Sequence, residues 1–64
     1  MYTNLVAEMA RNRIDRYAVA KTIGKSYNQT REKINGKAPF TYDEALTIQE
    51  TLFPDIDLKY LFKR

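Results

Sequence analysis

Asp15-Arg16-Tyr17-Ala18-Val19-Ala20-Lys21-Thr22-Ile23-Gly24-Lys25-Ser26 is the stretch on which the fold turns. Asp15 carries a short carboxylate able to accept from the free amides that open a helix. Val19, Ala20 and Ile23 then recur at spacings of three and four, which places them on one narrow helical face. Gly24 tolerates the left-handed conformation that stops a helix. These signals predict a helix of barely two turns.

Downstream, Ser26 and Gln29 form an S-x-x-Q capping box, so a third helix is expected to start near Tyr27. Asn35-Gly36 should end it, because both residues tolerate positive φ. Within it Thr30 and Ile34 are the inward-facing pair, a thin stripe that leaves most of this helix on the surface. Upstream, Leu5, Val6, Met9 and Ala10 predict a first helix over about Asn4 to Arg13, with Ile14 turning toward the core.

Toward the end of the chain, Thr41 and Glu44 make a second capping box, with Phe40 and Ala45 placed as a hydrophobic staple. Ala45, Ile48 and Leu52, flanked by Leu46 and Phe53, extend a fourth helix until Pro54 forbids more. A last short helix is expected after Asp57, folding Leu58, Leu61 and Phe62 back onto the core. No strand-like alternation, internal repeat or low-complexity segment interrupts this pattern. The fold class is therefore all-α, a compact five-helix arrangement in one domain over residues 1–64.

Composition narrows the function. A chain of 64 residues buries only about 60% of its unfolded surface, so little stability is spare. With neither cysteine nor histidine there is no disulfide, no thiolate or imidazole metal site and no Cys or His nucleophile or base. No nucleophile–base pair, phosphate loop or metal cluster is apparent, so an enzyme and a cofactor are not expected. Asp43 and Glu44 read as favourable charges at a helix N-terminus rather than as a catalytic pair. No membrane span or signal-peptide layout is visible, and a soluble cytoplasmic protein is the expectation.

Charge is uneven. Residues 1–37 hold eight basic and three acidic side chains, a net of +5, whereas residues 38–64 hold three basic and five acidic, a net of −2. Any polyanion should therefore meet the first half.

Two short helices joined through Gly24, the second rich in exposed polar side chains, have the layout of a helix-turn-helix over about residues 15–35. Small Ala20 permits close approach of the crossing helix. At Asp15 to Gly24, Ser26 and Lys33-Ile34-Asn35-Gly36-Lys37 the sequence resembles the Cro and lambda-repressor-like family, in particular its small phage-type members. With the leading helix and the segment from Pro39 to Pro54, the likeness spans nearly the whole chain. The sequence departs from the family at Lys25, where an apolar residue is usual in the turn, and at Thr30, where the recognition helix usually buries Val, Ile or Leu. A lysine stem can lie along apolar surface, and a threonine methyl can pack inward with its hydroxyl bonded to the preceding turn.

The resemblance implies a transcriptional regulator, a repressor or Cro-like switch of a phage or other mobile element, that binds operator duplex as a homodimer. It implies that the third helix enters the major groove, with Tyr27, Asn28 and Arg31, and after them Gln29 and Glu32, reaching base edges. Asn suits adenine and Arg suits guanine, while Tyr27 either touches a thymine methyl or a phosphate, or packs its ring against the helix pair. Arg16, Lys25, Lys33 and Lys37 would hold phosphates. Lys21 and Arg11 read as solvating charges. Candidates for the dimer contact are Tyr60, Leu61 and Phe62. The alternative is a protein-interaction module, an antitoxin or antirepressor, that turns the acidic second half toward a basic partner.

Overall fold

A computed structural model describes residues 1–64 as five helices and no strand: α1 (Thr3–Arg11), α2 (Arg16–Ile23), α3 (Tyr27–Ile34), α4 (Tyr42–Leu52) and α5 (Leu58–Leu61). Every helix contributes to one core, with Leu5 and Met9 from α1, Val19 from α2, Ile34 from α3, Ile48 from α4 and Leu61 from α5 all buried. Tyr2 and Phe53 complete it from outside the helices. No helix is long and apolar enough to cross a membrane.

The local stops and starts explain the short elements. Asp15, Ser26, Thr41 and Asp57 each accept a hydrogen bond from the amide three residues on, and at Ser26 and Thr41 the reciprocal bond closes a full capping box. At the other ends, α1, α2 and α3 share one device: a residue with positive φ, followed by an amide that reaches back five residues. Ile14 bonds to Met9, Lys25 to Ala20 and Lys37 to Glu32, at 2.9, 3.1 and 2.9 Å. The left-handed residues are Arg13, Gly24 and Gly36, with φ of 55°, 68° and 85°. This is the Schellman arrangement, which satisfies carbonyls the helix leaves free.

Arg13 is the unexpected member. The apolar pattern carried α1 on to Arg13, but the helix stops at Arg11 because Arg13 takes the left-handed conformation without being glycine. Conversely Asn35 stays right-handed at φ −77°, and Gly36 alone makes the turn.

The two chain ends meet beside that turn. The Tyr2 amide donates to the Ile34 carbonyl, and Arg64 Nη2 donates to the Gly36 carbonyl while its guanidinium lies 5.2 Å from the Tyr2 ring centroid. Tyr2, Phe40 and Phe62 pack edge-to-face, their centroids 5.3 to 5.8 Å apart. Phe40 thus closes over Tyr2 and Phe62, a larger role than a staple onto Ala45.

Two expectations are corrected here. Leu61 is fully buried and is not available to a partner. Its neighbour Tyr60 is tied at both ends, its hydroxyl donating to Glu8 Oε2 (3.1 Å) and its carbonyl accepting from Asn4 Nδ2 (2.8 Å). Leu61 thus fills the core and Phe62 packs against it, while Tyr60, bonded to α1, keeps 41% of its surface exposed. The second correction is at Thr30, which is fully buried as expected, but whose Oγ1 has no hydrogen-bond partner.

Candidate nucleic-acid interface

The unit of interest is α2, the turn Gly24-Lys25-Ser26 and α3. Val19 and Ala20 bury the inner side of α2, and Thr30 and Ile34 bury that of α3. With the inner sides pinned, the remaining positions must face outward. On α3 these are Asn28, Gln29, Arg31 and Glu32, all exposed, with Tyr27 half-buried at the first helical position.

The Ser26 cap orders the first turn of α3 without drawing Asn28 or Arg31 into it. Gln29 is different. Its Oε1 accepts from the Ser26 amide at 3.2 Å, so only its side-chain NH2 remains to meet a partner.

Among the cations assigned to phosphates, Lys25 and Lys37 are exposed and Arg16 is half-buried at the start of α2. Lys33 stands apart: its Nζ donates to both Glu44 oxygens, at 2.6 and 2.8 Å, with both side chains mostly buried. The pair links α3 to α4. Burial alone would raise the Glu44 pKa, but hydrogen bonds from Lys33 and the Thr41 amide, with the Lys33 charge, hold it below its ordinary value. The Lys33 charge is therefore largely spent inside the domain.

Tyr17 carries no signal in the local sequence that marks it for a role. Its ring stacks on Tyr27 with centroids 4.3 Å apart and planes inclined by 24°. Tyr17 is nevertheless 66% exposed. The stack bridges the first turn of α2 to the first turn of α3, ten residues apart in sequence. Tyr27 thus packs against the helix pair and still leaves an aromatic surface outside.

No deep cavity competes with this surface. A shallow, open pocket of about 200 Å³ lies between the end of α2 and the start of α4, lined by Thr22, Ile23, Asp43, Glu44 and Thr47. That is below the usual size of a small-molecule site, and the Glu44 carboxylate in it is already bonded to Lys33.

Fold and surface together define a small all-α domain whose second and third helices present an exposed polar, basic and aromatic face. Comparison with protein-family models, with curated proteins and with solved structures finds no match.

Proposed function

We propose that this chain is a helix-turn-helix protein that binds duplex DNA sequence-specifically, with α3 in the major groove, and that it acts as a transcriptional regulator. The observation that carries the reading is the division of α3: Thr30 and Ile34 are sealed inside, while Asn28 and Arg31 are left exposed beside an aromatic contact to α2. Asn28 supplies the amide pair that matches adenine, and Arg31 the fork that matches guanine. Tyr27 lies beside them, and Gln29 contributes through its NH2. Arg16, Lys25 and Lys37 hold the flanking phosphates. The likeness of residues 15–37 to phage-type regulators supports a repressor or Cro-like role in a mobile element, acting in the cytoplasm where the DNA lies.

Two copies are needed on one operator. The domain measures 26 Å in its longest direction, whereas equivalent major-groove faces recur about 34 Å apart. A single copy cannot span two half-sites, so a homodimer on a two-fold-related site follows from the proposal.

Selection of bound duplexes from a random pool tests it. Enrichment of a site with two related halves is expected, and recovery of no preferred duplex would overturn it. On the selected duplex, Asn28→Ala should cost about 1–3 kcal/mol and relax base choice at one position per half-site. Lys37→Ala should weaken all duplexes alike and lower the salt slope by about one unit.

A further inference from the structure

We propose that Tyr17 and Tyr27 act as one aromatic unit that reads the 5-methyl group of a thymine, with Tyr17 a base-contacting residue on α2. The inference rests on the reading of α2 and α3 as a helix-turn-helix and adds a chemical target and a residue to it.

Stacked tyrosines at a centroid distance of 4.3 Å bury their facing surfaces against each other, so what they offer outward is ring edge and the free face of Tyr17. The Tyr17 ring, 66% exposed despite the stack on Tyr27, leaves an apolar surface on a small charged domain that nothing else in the chain covers. Its surroundings indicate the partner's charge. Lys21 lies four residues after Tyr17 and Arg31 four after Tyr27, which puts an exposed cation on the same helical face as each ring. Arg16 and Asn28 adjoin the two tyrosines in sequence, and none of these positions is acidic.

A partner that is anionic around an apolar spot is therefore favoured. Duplex DNA meets that description in the major groove, where phosphates flank the base edges and the thymine methyl is the apolar group those edges present. Asn28 strengthens the choice, since the base its amide suits is adenine, whose pairing partner is thymine. The hydroxyls remain free to meet phosphate oxygens, but the ring edge has no other apolar contact to make there.

The test uses the selected duplex with single thymines replaced by uracil, which removes only the methyl. At one position in each half-site the unaltered protein should bind the uracil duplex about four-fold more weakly, the effect of one methyl at ~0.8 kcal/mol. Tyr17→Gln and Tyr27→Gln, with folding checked by circular dichroism, should bind the thymine and uracil duplexes equally. Tyr17→Phe and Tyr27→Phe should keep the four-fold difference. With the unaltered protein, 5-iodouracil at that position should photocrosslink to a peptide containing Tyr17 or Tyr27. Equal binding of all uracil duplexes by the unaltered protein, discrimination retained in either glutamine variant, or crosslinking to other residues would each overturn the proposal. A domain that selects a duplex yet shows one of these results keeps its DNA-binding function and loses only the methyl readout, whereas a domain that selects no duplex loses both.

Discussion

Replacing Thr30 by valine should stabilise the domain. The Thr30 side chain is fully buried on α3 and its hydroxyl has no hydrogen-bond partner. A buried hydroxyl left unpaired costs about 1–3 kcal/mol of desolvation. Valine has the same shape and the same β-branch, so packing and helix propensity change little and the gain should approach that figure. A chain of 64 residues has a total stability of only about 3–10 kcal/mol at typical values per residue. One kcal/mol in so small a domain moves Tm by about 4–8 °C, so a rise of at least about 4 °C is expected. Differential scanning calorimetry, with urea unfolding as a second measure, reads this directly. Thr30→Ser should move the other way, because it keeps the hydroxyl and deletes a buried methyl. Since the side chain points inward, affinity for the selected duplex should be unchanged in Thr30→Val. A Tm equal to or below that of the unaltered protein would refute the reasoning and mean that the hydroxyl is satisfied in solution.

Gly24 and Gly36 both have positive φ, but a Cβ on Gly24 would meet nothing within 4 Å, whereas one on Gly36 would lie 2.7 Å from the Met1 nitrogen. Gly24→Ala should therefore cost about 1–2 kcal/mol for the left-handed backbone alone, and Gly36→Ala more; the reverse order of melting temperatures would contradict the packing of the N-terminus on the turn. Lys33→Met should destabilise by roughly 1.5–3 kcal/mol, the range for hydrogen bonds to charged groups. Because the folded pKa of Glu44 is depressed below its unfolded value near 4.5, its contribution is complete above that value and is lost as pH falls through the folded pKa. Melting between pH 7 and pH 3 should show that loss in the unaltered protein and less of it in Lys33→Met; parallel curves would mean the pair is open in solution. Duplex affinity should fall steeply from low to physiological salt through counterion release, and a flat response would exclude the phosphate contacts proposed for Arg16, Lys25 and Lys37.

Much of this molecule is legible within windows of four or five residues. Asp15, Ser26, Thr41 and Asp57 mark helix starts, and Gly24, Gly36 and Pro54 mark stops, because a cap is a bond between a side chain and an amide three residues away and a stop is one residue's φ. The apolar spacing likewise identifies Val19, Ala20, Thr30 and Ile34 as the inner side of α2 and α3, and so indicates which α3 positions lie outside. Arg13 escaped this logic, since a non-glycine residue with positive φ carries no signal of its own.

The tertiary structure decided what depends on how helices cross. Lys33 and Glu44 meet across 11 positions, Tyr17 and Tyr27 across a turn, and Tyr60 and Glu8 across 52 positions. None of these is implied by periodicity, which gives the face a residue occupies and not the partner that face will meet. For the same reason Lys33 reads in the sequence as a phosphate contact and Leu61 both as a core residue and as a candidate for the dimer contact, whereas the assembled chain pairs Lys33 with Glu44 and leaves Leu61 only the core. Local hydrogen bonding and helical spacing determined where the five helices lie along the chain; their packing around one small shared core determined which charges and rings were left outside.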